Sequence, residues 1–157
     1  AEYEKENDIP SSNIRPTRKN KNIDNLDSAI LLAGGKPSSL YLKQYLIKTG
    51  YMDSSCNFTI AKINKDGSGR YWANPPIDYL DSEWVLVFND NINRKLHFFR
   101  IPAKTIKKTE VKTRTVISKS GKENIQIDLE VVLKNGRYIC IASGVDYHPW
   151  YVETKNY

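Results

Sequence analysis

The sequence WVLVFNDNINRKLHFFRIP, residues 84–102, decides the fold. Its first five residues form a nearly continuous apolar run, which is typical of a strand buried on both faces. The polar cluster 89–93 predicts a turn, and the run 95–101 returns as a second strand until Pro102 ends it. Residues 84–101 are therefore predicted to form a β-hairpin, and its first strand is expected to be central in a sheet.

Outward from this hairpin, the pattern changes from strands to helices. Residues 58–63 precede it as a further strand, and alternating runs at 111–117, 125–133, 138–142 and 147–152 follow it. Before residue 51 the apolar spacing is helical, with one helix at 24–33 and a second that Ser38 caps and Thr49-Gly50 ends. The predicted fold class is α+β, or α/β, with a mixed central β-sheet and two N-terminal helices packed on it.

Length and composition favour one domain. The chain has 157 residues, of which 39% are hydrophobic and 27% charged, and this is the balance of a single globular core. Residues 1–23 carry few large apolar groups and are predicted to be a flexible charged arm, so that residues 24–157 form one α/β domain. No run approaches the ~18 apolar residues of a membrane span, and two cysteines are too few for a disulfide scaffold. The expectation is a protein with no membrane partner, located in the cytoplasm.

The charge is basic and unevenly placed. A net charge of +6 favours a polyanionic partner, and the densest basic stretch is 104–122. Within it, Lys112 and Arg114 lie two residues apart on a candidate strand and project from one face, where they can line a phosphate groove or merely protect a sheet edge from aggregation. The loop 64–72 adds glycines, cations and aromatic rings suited to backbone contact and base stacking. The predicted nucleic-acid-binding residues are Lys65, Arg70, Trp72, Lys104, Lys107, Lys108, Lys112, Arg114 and Lys119.

Other chemical motifs are absent or incomplete. The residues that could bind zinc are two cysteines and two histidines, none at the paired spacing of a zinc site. Gly34-Gly35-Lys36 lacks the spacing of a phosphate-binding loop, and Asn74-Pro75-Pro76 has the wrong context for an amino-methyltransferase.

The order of residues 58–128 resembles the second half of a restriction-endonuclease-like domain of the PD-(D/E)XK superfamily. The matching pieces are the strand Ile60-Ala61-Lys62, the loop 65–72, the buried strand 84–88, the strand 96–103 and the basic segment 104–128. This resemblance implies Mg²⁺-dependent cleavage of phosphodiesters, in which Lys62 supports the attacking hydroxide and Asp53 serves as the upstream catalytic acid and metal ligand. Ile60 occupies the place of the motif carboxylate or glutamine, and isoleucine cannot bind a metal.

Two classes of function follow. The first is a nucleic-acid-binding protein, with DNA favoured, on a nuclease-like fold, either active as a Mg²⁺ endonuclease or without catalysis. The alternative is a basic α+β protein-interaction domain, an accessory or inhibitor subunit, whose tyrosines and tryptophans make the contacts. Salt discriminates between the two, because phosphate-driven binding weakens steeply with ionic strength.

Overall fold

The computed structural model describes residues 38–157. Those residues form one α-helix and nine strands joined by short turns. The bounds are α1 Ser39–Lys48, β1 Asn57–Ile63, β2 Tyr71–Ala73, β3 Trp84–Asp90, β4 Lys95–Ile101, β5 Thr113–Ile117, β6 Glu123–Ile127, β7 Leu129–Lys134, β8 Arg137–Cys140 and β9 Tyr151–Asn156. Single 3₁₀ turns lie at Ile77–Asp81, Lys108–Glu110 and His148–Trp150.

Seven of the strands form one curled sheet shaped like half of a barrel, in the order β8-β7-β2-β1-β3-β4-β9. The β1–β3 pair is parallel, and every other neighbouring pair is antiparallel. A parallel pair needs a crossover connection, which here is the segment 64–83. That segment contributes β2 to the far side of β1 before the 3₁₀ turn Ile77–Asp81 returns the chain to β3.

The sheet separates two hydrophobic cores. On the concave side, Trp84, Leu86 and Phe88 of β3 pack with apolar residues of the neighbouring strands. On the other side, Leu42 and Leu46 of α1 cover the strands β1, β3 and β4. The helix covers one half of that side. The other half, formed by β2, β7 and β8, is not covered by a helix within residues 38–157, and Trp72 there is 52% exposed.

The strands β5 and β6 form a separate two-stranded hairpin. Five residues, 118–122, make its turn, and Gly121 there has a φ of +85°, which is a conformation that favours glycine. The chain passes from β6 directly into β7 through Asp128, so the hairpin is connected to the main sheet at the start of β7.

Several sequence predictions are confirmed. Residues 84–101 form the β3–β4 hairpin, every residue of β3 is buried, and the predicted strand 58–63 is β1. The second helix begins after Ser38, whose Oγ accepts a hydrogen bond from the Tyr41 N–H at 3.3 Å. The predicted arm 1–23 and the predicted helix 24–33 lie outside the described residues.

The predicted fold class is wrong, because the protein is mostly β. A restriction-endonuclease-like sheet needs helices between its strands, whereas the connections after β3 contain only tight turns and 3₁₀ turns within residues 38–157. The predicted strand 125–133 is in fact two strands, β6 and β7, which lie in different sheets and meet at Asp128. Period-two alternation identified the strands there, but it carries no information about which sheet each strand joins.

Candidate nucleic-acid interface

The β5–β6 hairpin has two chemically different faces, set by its register. Arg114 lies opposite Gln126, and Val116 lies opposite Asn124. Because side chains alternate along a strand, these residues share one face with Lys112 at its base and Lys122 at its turn. We call this the polar face, formed by Lys112, Arg114, Val116, Lys122, Asn124 and Gln126.

The opposite face of the hairpin is apolar. Thr115 pairs with Ile125 and Ile117 with Glu123, and the two isoleucines are 66% and 47% exposed at positions 117 and 125. This face also holds Glu123, but its other exposed members, Thr113, Thr115, Ile117 and Ile125, carry no charge, and we call it the apolar face. These two isoleucines are the exposed apolar side chains of the hairpin.

The hairpin is fastened only at its base. The Ile127 N–H donates to the Pro75 carbonyl at 2.7 Å, and the Asp128 N–H donates to the Lys112 carbonyl at 2.7 Å. Residues 115–125 make no hydrogen bond to other described parts of the chain. At about 3.4 Å per residue, β5 therefore reaches roughly 14 Å from the base of the hairpin.

Trp72 forms a second part of the same surface. It is the exposed aromatic side chain among residues 38–157, at 52%. It sits between Lys62 of β1 and Glu130 of β7 in the sheet register. Glu130 is paired with Arg70 at 2.7 Å, a contact that raises the pKa of the Arg70 guanidinium. The Arg70 pairing offsets the Glu130 charge beside the indole.

Arg114 joins the hairpin to this surface. Its guanidinium donates to the Asn74 side-chain oxygen at 3.3 Å, and Asn74 in turn donates to the Ile127 carbonyl at 3.2 Å. A shallow groove runs between the polar face and Trp72. It is lined by Asn64, Trp72, Asn74, Arg114, Asp128 and Glu130.

The predicted nucleic-acid-binding cations fall into two groups, those that form an ion pair within residues 38–157 and those that do not. Lys65, Lys104, Lys107, Lys112, Arg114 and Lys119 are on the surface and make no ion pair within residues 38–157. Arg70 is held by Glu130. Lys108 donates to Asp81 at 3.0 Å and to Asp78 at 3.2 Å, hydrogen bonds that raise its pKa. Lys108 therefore tethers the segment after β4 to the 3₁₀ turn before β3, which reduces its availability to a phosphate.

The hairpin also contains residues that the sequence prediction missed. Asn124 and Gln126 lie on the polar face beside Val116 and Arg114. Their signal was present, because 123–127 alternates with the same period as 113–117 and a five-residue turn separates the two runs.

Lys62 and Asp53, the residues predicted to catalyse cleavage, do not meet. Asp53 lies in the turn before β1, and Lys62 lies near the other end of that strand. From residue 57 to residue 62 the strand rises about 16 Å, so the two side chains belong to different ends of the sheet. The pKa of Asp53 is lowered by hydrogen bonds from the Ser55 hydroxyl and backbone N–H, the latter at 2.9 Å.

The residues around Asp53 do not fit a Mg²⁺ site. The carboxylate of Glu83 lies on the other side of the Cys56 thiol, and Glu83 is paired with Arg100. No cluster of three metal-binding side chains occurs in the described part of the chain. The cleavage implied by the PD-(D/E)XK resemblance therefore stays a prediction, and we derive no step through a metal.

Comparisons with known proteins found no matching family model, no matching curated protein and no matching solved structure. Within residues 38–157, the helix is too short to cross a bilayer.

Proposed function

We propose that this protein binds nucleic acid, with double-stranded DNA favoured, through the polar face of the β5–β6 hairpin. The observation that carries the proposal is a projecting two-stranded ribbon on which Arg114, Asn124 and Gln126 share one face. Lysines at the base and turn flank these residues.

The width of a two-stranded ribbon and the polar side chains on this one are suited to binding in the major groove of DNA. The major groove of B-DNA is about 12 Å wide and admits a two-stranded β-ribbon. Arginine pairs in two hydrogen bonds with guanine, and asparagine or glutamine pairs similarly with adenine. Arg114 therefore has the chemistry to contact guanine, while Asn124 and Gln126 have the chemistry to contact adenine.

The cations around these residues supply the sequence-independent part of binding. Lys112, Lys119 and Lys122 lie at the base and the turn of the ribbon, where they can contact phosphates on both sides of the groove. Lys62 and Trp72 extend the surface onto the main sheet, where the exposed indole can pack on a sugar or an unpaired base.

The direct test is fluorescence anisotropy with a labelled DNA duplex of random sequence at low salt. Arg114→Ala is expected to weaken binding by about fivefold or more, equal to ~1 kcal/mol. Lys134→Ala is the matched control, because Lys134 is an exposed cation at the far end of β7. Equal losses in both variants would mean that net charge alone binds DNA, and no loss in Arg114→Ala would contradict the proposal.

The exposed apolar face supports a second candidate, a protein-interaction domain. Ile117 and Ile125 on a projecting hairpin are suited to pack against a partner's apolar surface. Ile117→Thr leaves the polar face unchanged, so it is expected to leave DNA binding unchanged. Failure of the wild-type protein to bind duplex DNA at low salt would favour this candidate over the first.

We also place the protein in the cytoplasm as part of this proposal. Cys56 and Cys140 are both free thiols, buried in different cores on opposite sides of the sheet. Unpaired cysteines are the usual state of proteins in a reducing compartment.

A further inference from the structure

A cavity opens on the concave side of the sheet, at the end where β3 passes into β4. Its volume is about 360 Å³, within the range of small-molecule sites, roughly 300–1,000 Å³. Tyr71 and Trp72 are neighbours on β2 with opposite burial, so this cavity lies on the other side of the sheet from the Trp72 surface. Its lining includes Tyr71, Asp90, Lys95, His97 and Tyr138.

Aromatic rings dominate the deeper part of this cavity. Tyr71 stacks on Phe88 with ring centroids 4.8 Å apart, and His97 meets Tyr71 edge-on at 6.1 Å. Tyr138 lies 6.0 Å from His97. Because these rings pack on one another and Tyr71 and Tyr138 are only 6% and 8% exposed, they present mainly their edges to the cavity.

Polar atoms in the cavity are left unused by the protein. The hydroxyls of Tyr71 and Tyr138 have no hydrogen-bond partner within residues 38–157, and neither is sealed from solvent. His97 Nδ1 lies 2.7 Å from the Thr154 hydroxyl, while its Nε2 has no partner in the described chain. Two phenol groups and one imidazole nitrogen are therefore available to a ligand.

Both carboxylate oxygens of Asp90, by contrast, already accept hydrogen bonds from the protein. Its Oδ1 accepts from the N–H groups of Ile92 at 3.1 Å and Asn93 at 3.0 Å, and its Oδ2 accepts from the Asn93 amide at 2.9 Å. These bonds shape the β3–β4 turn. Lys95 lies opposite Asp90 in the strand register, and its Nζ donates to the Asn156 side-chain oxygen at 3.2 Å, so the mouth of the cavity carries one formal positive and one formal negative charge.

The other titratable groups in the lining are neutral at pH 7. Burial lowers the pKa of His97, which keeps its imidazole uncharged. Burial raises the pKa of both Tyr71 and Tyr138, so both phenols stay protonated. A cavity with no net charge gives an ionic ligand little in exchange for its lost hydration.

We infer that this cavity binds a small uncharged planar heteroaromatic compound, of one or two rings, that carries both hydrogen-bond donors and acceptors. The exposed edges of Tyr71, His97 and Tyr138 contact it, and their polar atoms fix its orientation. This site is independent of the hairpin, because it uses the opposite side of the sheet.

The test is titration of the full chain with adenine, followed by two-dimensional ¹H–¹⁵N NMR. Saturable shifts are expected at the backbone amides of Tyr71, His97 and Tyr138. Benzoate and benzylammonium, which are charged compounds of comparable size, are expected to bind about tenfold more weakly or worse.

Removing the hydroxyls of Tyr71 and Tyr138 tests their hydrogen bonds to the ligand without removing the rings from the core. In the Tyr71→Phe/Tyr138→Phe variant the rings remain, so the fold is kept, but adenine affinity is expected to fall about fivefold or more. Tyr79→Phe is the matched control, because Tyr79 packs on Trp84 at the opposite end of β3. The inference is overturned if adenine causes no saturable shift, if a charged probe binds as tightly, or if the double variant binds adenine like the wild type.

Discussion

The salt dependence of DNA binding can be worked out from the charges on the hairpin surface. Its cations with no ion pair in the described chain number five. They are Lys62, Lys112, Arg114, Lys119 and Lys122. If each contacts one phosphate, the slope of log K against log salt is about −4.5, since each contact contributes about −0.9. Raising salt from about 50 to about 200 mM then weakens binding roughly 500-fold.

Replacing the four hairpin cations by glutamine should remove most of this dependence. Lys62 alone would remain, giving a slope of about −0.9 and a loss of only about threefold to fourfold over the same range of salt. The replaced side chains are exposed, so the free energy of unfolding should change by no more than about 0.5 kcal/mol per site. Urea denaturation of the variant checks that expectation.

The assay is anisotropy of one labelled duplex at a series of salt concentrations, for the wild type and the fourfold variant. A Lys43→Gln/Lys134→Gln variant, with both changes away from the hairpin, is the control and should keep the wild-type slope. A wild-type slope close to zero would refute the phosphate-contact argument. An unchanged slope in the fourfold variant would instead refute the assignment of those contacts to the hairpin.

Three further predictions concern stability, pH and cleavage. Leu46→Ala should lower the free energy of unfolding by about 2–5 kcal/mol, because Leu46 lies on the buried side of α1 and is 1% exposed. Leu40→Ala is the control, since Leu40 is 60% exposed and its loss should cost less than about 0.5 kcal/mol. Urea denaturation measures both. The pKa of His97 is lower in the folded than in the unfolded state, so the unfolded chain binds more protons below the unfolded pKa of about 6.5. The free energy of unfolding should therefore fall as the pH drops through that value. The His97→Gln variant should lack this component in unfolding curves recorded between about pH 7 and about pH 5. When the protein is incubated with plasmid DNA and Mg²⁺, Mn²⁺ or EDTA, the DNA should show reduced gel mobility but no nicking, because Lys62 and Asp53 lie toward opposite ends of β1. Metal-dependent nicking that is abolished by Lys62→Ala or by Asp53→Ala would contradict this.

The strands of this protein could be predicted from the sequence because their signals are local. The apolar run of β3, the turn cluster after it and the alternation of β4 each lie within a few residues, and the β3–β4 hairpin formed as predicted. The Ser38 cap was equally readable. In the candidate site, the cations of residues 112–122 could also be predicted from the sequence, because charge and alternation are properties of the chain itself.

Tertiary structure decided how those strands pair and which charges stay available. Neighbouring runs do not encode that β2 joins the outer side of β1, or that the chain leaves one sheet for another at Asp128. For the same reason, the pairing of Arg70 with Glu130 and of Lys108 with two aspartates could not be foreseen, since the partners are distant in sequence. Local sequence specifies the strand and its polar side chains, whereas the partner of each depends on long-range contacts that form only when the whole core is buried.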